Sequence, residues 1–148
     1  MTLRSSKVLK YLGQYGFLVG AIAWIGKSVF DTVHGLLTDD WNTEEIIVRG
    51  SIGLVHLAAF LYLRNKFVVV ELGGQIVKIL RDKETIETTW QSVESVERVI
   101  FSTPSIYTIR VKDKDGYFIF WDSTISVLGF DNSELGALIS QKKKKLDI

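Results

Sequence analysis

The chain contains no cysteine, which excludes disulfides, thiolate metal sites and cysteine nucleophiles and fits any redox compartment. It also lacks an excess of either charge: 18 Lys and Arg stand against 17 Asp and Glu, leaving a formal +1. From Phe67 onward there are 11 Lys and Arg against 12 Asp and Glu, and four of those lysines form the run Lys142, Lys143, Lys144 and Lys145. The rest of that half is acidic, so no broad basic face exists to follow a phosphate backbone, and nucleic acid is not an expected partner. There is no G-x-S-x-G, no phosphate-binding glycine loop and no H-E-x-x-H; those patterns would place a nucleophile, a nucleotide or a zinc ion. The carboxylates fall in turns and on exposed strand positions, where solvated charges belong. Neither an enzyme nor a cofactor is expected. An acidic cation site at Asp39, Asp40, Glu44 and Glu45 is less favoured than a solvated loop.

What the chain does have is two runs without Asp, Glu, Lys or Arg, at residues 11–26 and 50–63. The stretch "YGFLVGAIAWIGKSVFDTVHGLL" (15–37) admits three readings: a membrane span with charges near its end, a core helix of a soluble protein, or a signal peptide cleaved at Ala21-Ile22-Ala23. A soluble helix needs a polar face every third or fourth residue, and between Tyr11 and Gly26 only Gln14 is strongly polar. Cleavage is disfavoured because hydrophobicity continues past that site and Gln14 interrupts the apolar core. The membrane reading is adopted, with spans at about 12–34 and 46–63. The first is roughly 33 Å long, enough for a hydrocarbon layer of about 30 Å; the second lies at the short end of what crosses.

The flanks give a direction. Arg4, Lys7 and Lys10 precede the first span and Arg64 and Lys66 follow the second, while the loop 35–45 has no Lys or Arg. By the positive-inside rule both termini are cytoplasmic and the protein is a multi-pass protein of the cell (inner) membrane. Trp41 suits the outer interface, and Tyr11 and Tyr15 the inner one. Lys27 then falls in the outer part of the bilayer, where its ammonium reaches toward water. Asp31 lies four residues on, and Arg49 enters the second helix at a similar depth. These three are expected to form a cluster that closes the hairpin. His56 falls near mid-bilayer, opposite Trp24 or its neighbours; a neutral imidazole bonded to the partner helix, for example to the Trp24 indole, is preferred to a proton relay. His34 and His56 lie at different depths, so no two-histidine metal site is expected. Gly16, Gly20 and Ala23 on one helix and Gly50, Gly53 and Ala58 on the other suit close packing or self-association.

After Phe67 the period changes to that of strands. "FVVVEL", "QIVKIL", "TIETTW", "SVESVERVI", "IYTIRV" and "YFIFW" give about six strands in up-and-down order, with turns at Gly73-Gly74, "RDKE" and Asp115-Gly116. Ile86, Thr88 and Trp90 share one face, and in the alternating "SVESVERVI" Val96 and Ile100 lie on the same side; the one proline, Pro104, falls in the break at 102–105. A helix over about 131–145 follows, with Asp131 as N-cap, Glu134 three residues on and Phe130 packing on Leu135. Leu135, Leu138 and Ile139 form its apolar stripe. The expected fold is α+β: a transmembrane helical hairpin (1–66), then a small antiparallel β-domain closed by a C-terminal helix (67–148).

Two N-terminal membrane helices, the step Trp90-x-x-Val93-x-x-Val96 in "ETTWQSVESVERV", and a final helix together resemble bacterial membrane proteins with a pleckstrin-homology-like (PH-like) domain. The resemblance implies a membrane-tethered β-domain without a catalytic centre. It departs from the lipid-binding members of the wider fold: the first hairpin loop is Gly73-Gly74 with only Lys78 nearby, and the last helix has no tryptophan. Protein partners or self-association are therefore expected rather than headgroup recognition in that pocket, in a scaffold or a subunit of a larger membrane complex. The alternative of another class is an oligomeric channel or transporter subunit with Lys27, Asp31, Arg49 and His56 along a polar path. A third is an anionic-lipid sensor in which Lys142–Lys145 touch the inner leaflet; the plain account of those lysines is a solvated helix end that complements the helix dipole.

Overall fold

Long apolar runs with helical spacing and short β-branched runs separate along this chain, and the computed structural model folds them into helices and strands respectively. It describes residues 2–39, 41–99, 102, 104–122 and 133–148. The elements are β1 (Leu3–Arg4), α1 (Lys7–Thr38), α2 (Thr43–Leu63), β2 (Val69–Leu72), β3 (Ile76–Leu80), β4 (Thr85–Thr89), a 3-10 turn (Trp90–Ser92), β5 (Val93–Arg98), β6 (Ile106–Val111), β7 (Phe118–Trp121) and α3 (Glu134–Leu146). The chain is thus α+β, with two long apolar helices, antiparallel sheets and a C-terminal helix. Its compact units are Tyr11–Arg64, and Met1–Lys10 together with Asn65–Ile148.

That division differs from the expected boundary, which gave all of residues 1–66 to the hairpin. Leu3 and Arg4 pair antiparallel with Leu72 and Glu71, a seventh strand beyond the six expected. Ser5 continues the contact: its N–H donates to the Val70 carbonyl (2.8 Å) and its hydroxyl accepts from the Val70 N–H (2.7 Å). The Ser6 N–H donates to the Trp121 carbonyl (2.8 Å), and its hydroxyl accepts from the Leu9 N–H (3.2 Å), capping the start of α1. Buried Lys10 pairs with Asp82. Two strand residues carry too little alternation to be read from sequence, and backbone and hydroxyl bonds do the tying.

In the β-unit one sheet has the order β1-β2-β3-β4 and the other β5-β6-β7. At β7, the Ile119 N–H donates to the Lys66 carbonyl (2.7 Å) and the Val68 N–H to the Ile119 carbonyl (2.9 Å), so the chain entering β2 adjoins β7. Val70, Leu72, Val77, Ile79, Ile109 and Phe120 are fully enclosed, and α3 adds Leu135 and Ile139 to the same core. Trp90, Val93 and Val96 are all buried although spaced by three. A strand would alternate by two; here the 3-10 turn supplies a period of three, and a register shift between Val93 and Ser95 turns Val96 inward.

Three local expectations shift. The first β-hairpin turn is Gly74-Gln75 rather than Gly73-Gly74, because Gly73 still pairs: its N–H donates to the Ile76 carbonyl (2.8 Å). The β6–β7 connection begins earlier than Asp115-Gly116, with Asp113 (φ 63°) and Gly116 (φ 84°) both in the left-handed region. The N-cap of α3 is Ser133, whose hydroxyl accepts from the Gly136 N–H (2.9 Å); Asp131, Phe130 and Ile100 lie outside the described residues.

In the helical unit, Asp39 (φ 57°) follows the last residue of α1 and its N–H donates to the Gly35 carbonyl. Asn42 caps α2 by accepting the Glu45 N–H (3.2 Å), and Glu44 and Glu45 occupy the positive first turn. The helices run antiparallel: Ser28 donates to the Ile46 carbonyl (2.9 Å) at one end, and the Tyr15 and Phe60 rings lie 6.3 Å apart at the other.

Candidate functional site

Four charges gather at the loop end of the hairpin. Lys27 and Asp31 pair one turn apart on α1; Arg49 of α2 reaches the other oxygen of Asp31 and also binds Glu45, one turn back on its own helix. The structure therefore brings together Lys27, Asp31 and Arg49, and adds Glu45, which sequence reasoning passed over although it stands at i−4 from Arg49. Two cations meet two carboxylates, so the cluster is balanced internally. Asp31 and Arg49 are the more sheltered members, with side chains 18% and 21% exposed, against 49% for Lys27 and 51% for Glu45. Beside them Asp31, His34, Asn42, Glu45 and Ile46 line an open polar cleft. Among the described residues no group of three or more His, Asp or Glu is arranged to hold a metal ion; Asp40 is outside them.

His56 sits one turn away from its expected neighbour. Its Nδ1 lies 2.9 Å from the Ile52 carbonyl, which can only accept, so Nδ1 carries the proton. The ring packs beside Phe17 at 6.3 Å and over Gly20, where a Cβ would come within 2.6 Å of Cδ2. Trp24 instead flanks Gly53, where a Cβ would meet Ile25 Cγ1 at 2.5 Å and the Ile25 backbone nitrogen at 3.0 Å. Gly20 and Gly53 are thus points of close approach, and a Cβ at Gly50 would lie 3.3 Å from Ser28 Oγ. Gly16 has no described atom within 4 Å of a built Cβ, and Ala23 and Ala58 are exposed. Ala21 is buried although no small-residue spacing singles it out. The contact residues on α2, Ile46, Arg49, Gly53, His56 and Phe60, alternate by three and four, the spacing of a helix–helix seam. The opposite surfaces are apolar and open: Val19, Ile22, Val29, Leu54, Val55 and Leu61 are all more than half exposed. Both helices are long and apolar enough to cross a membrane.

In the β-unit the lysine run is not one feature. Lys142 follows Leu135, Leu138 and Ile139 on the inward stripe of α3, ahead of Leu146. Its ammonium donates to the Gly74 carbonyl and lies 5.8 Å from the centre of the Trp90 ring. The Trp90 indole N–H donates to the Gly73 carbonyl (2.8 Å). Tryptophan and lysine together hold the β2–β3 turn. Lys144 and Lys145 are exposed and Lys143 partly so; with the Asp147 cap (φ 56°) they finish the helix at its negative end. A cleft of about 470 Å³ opens here, lined by Gly74, Gln75, Thr89, Gln91, Lys145 and Leu146 as well as Trp90 and Lys142.

Comparison of the chain with protein-family models, curated proteins and solved structures gives no match.

Proposed function

We propose that this protein is a non-catalytic, membrane-anchored interaction or scaffold protein: its hairpin crosses the membrane twice and its β-unit is a cytoplasmic PH-like domain that engages other proteins. One observation carries the reading. The strand before the hairpin, β1, pairs with the strand after it, β2. Residues 3–4 and 71–72 must therefore lie on one side of any bilayer, which two crossings satisfy and one crossing does not. An outward surface rich in exposed valine, isoleucine and leucine suits contact with lipid, which takes that apolar area out of water. The lysines and arginines flanking the two spans, against none in the loop, favour the cytoplasm for the β-unit. A meander in two antiparallel sheets with one terminal helix over the core supports the PH-like assignment.

A channel or transporter subunit would draw on the same polar residues. The internal neutralisation of Lys27, Asp31, Arg49 and Glu45, and the carbonyl acceptor already bound by His56, favour packing roles instead. With no native cysteine, single cysteines report topology directly. A membrane-impermeant maleimide should label Glu44→Cys in intact cells and Lys144→Cys only after lysis; the reverse pattern overturns the orientation. After mild-detergent extraction the chain should migrate with a stoichiometric partner, and migration as the bare protein would sink the scaffold reading.

A further inference from the structure

The cleft between the β2–β3 turn, the 3-10 turn and the end of α3 has walls of unlike chemistry. Lys142 and Lys145, three residues apart on a helix, both line it. Lys142 spends one of its three N–H groups on Gly74 and keeps two. Gln75, Gln91 and Thr89, the last residue of β4, also line the cleft, and Trp90 and Leu146 are its apolar members. The β3–β4 ladder sets a further property. The Arg81 N–H donates to the Glu84 carbonyl (2.8 Å) and the Trp90 N–H to the Gln75 carbonyl (3.4 Å). By alternation, Thr85, Glu87 and Thr89 turn their backbone groups away from β3, toward an edge that no strand among the described residues pairs with. Glu87, the one charge along it, is paired with Lys78 at 3.0 Å. A bare phosphate would accept from the ammonium groups and the carboxamide N–H groups but would have no N–H to offer the carbonyls of the strand edge. A peptide supplies N–H and C=O groups to the carboxamides and the strand edge, and a carboxylate to the lysines.

We propose that this cleft binds an extended acidic segment of a partner protein, with a carboxylate held between Lys142 and Lys145 and its backbone beside Gln75, Gln91 and Thr89. This names the partner chemistry for the interaction role above and rests on that reading. The test uses the full chain in uncharged detergent micelles, titrated with the fluorescein-labelled peptide Ser-Val-Glu-Val-Glu-Leu and with its Gln counterpart. Fluorescence anisotropy reports binding, and the Trp90 indole N–H signal, assigned with Trp90→Phe, reports place. The Glu peptide should bind and move that signal, and the Gln peptide should bind about tenfold more weakly. Lys145→Glu should cost about tenfold, while Lys144→Glu, exposed and outside the lining, should change affinity less than about twofold. The proposal is overturned if the Glu peptide does not bind, if both peptides bind alike, or if the two lysine variants lose equally. It is also overturned if phosphatidylglycerol vesicles, and not the peptide, move the Trp90 signal, which would make the cleft a lipid site. Loss of peptide binding in a chain that still carries its partner removes the cleft alone; a bare chain that binds the peptide at Trp90 removes the assembly reading alone.

Discussion

One methyl group added at Gly20 sets the packing of the two long helices against the His56 imidazole. The new Cβ would lie 2.6 Å from Cδ2 and 3.2 Å from Nε2, whereas carbon atoms in contact keep about 3.5–4.0 Å. The ring must therefore withdraw by about 1 Å. It is held by the Ile52 carbonyl at 2.9 Å and flanked by Phe17. Swinging away forfeits a hydrogen bond of about 0.5–1.5 kcal/mol, and spreading the helices carries an overpacking penalty of about 1–3 kcal/mol. Gly20→Ala should destabilise the hairpin by about 1–3 kcal/mol in total, despite the better helix propensity of alanine. In a His56→Ala background the methyl group has room, so the same substitution should become neutral or stabilising by up to about 1 kcal/mol. The double-mutant cycle should give a coupling of at least about 1 kcal/mol. Helix content followed through reversible unfolding in mixed micelles measures all four chains, with Gly16→Ala as the control in open space. Additive effects of Gly20→Ala and His56→Ala, or an equal cost for Gly16→Ala, would refute the close-approach argument.

Ser5→Ala removes the acceptor for the buried Val70 N–H and should cost the β-unit about 1–3 kcal/mol, read as a lower midpoint of its thermal transition; an unchanged midpoint would mean that water replaces the hydroxyl. Arg49→Gln strips Asp31 and Glu45 of their shared cation and should speed amide exchange at the start of α2, whereas Lys27→Met, at a half-exposed site, should change it little. Equal effects of those two would dissolve the ranking by burial. Trp90→Phe leaves the Gly73 carbonyl without its indole donor and should cost about 1 kcal/mol, with faster exchange confined to residues 73–75.

Much of this architecture is written in periodicity, and the departures have physical causes. The ion cluster is legible because residues four apart share a helix face and a short loop fixes an approximate antiparallel register. The partner of His56 is not, since the final register depends on how closely Gly20 and Gly53 let the backbones approach, and composition does not encode that distance. Lys142 reads as one of four like charges until the helix phase places it on the stripe with Ile139 and Leu146, where its ammonium lies over the Trp90 ring. β1 leaves no periodic trace; its two residues are held by backbone pairing and by Ser5, so the first ten residues resemble an ordinary basic flank. The spacing of three from Trp90 to Val96 contradicts a strand until a 3-10 turn and a register shift account for it.

The insertion of the hairpin between β1 and β2 links the two units through chain connectivity. Ser5 and Val70 are 65 residues apart, and closing a flexible loop of that length costs about 4 kcal/mol by chain-entropy scaling. A closed helical hairpin returns the chain toward its starting point and so removes much of that cost before β1 docks. Weakening the hairpin should then weaken β1 docking without any change to the sheet itself. The expected result is that Gly20→Ala speeds amide exchange at Ser5 and Val70 while leaving Val77 and Ile109, deep in the sheets, unaltered. Restoring the fit with Gly20→Ala/His56→Ala should return Ser5 and Val70 to slow exchange. If Val70 exchanges at one rate in all of these chains, β1 docks independently of the hairpin and the connection is only covalent.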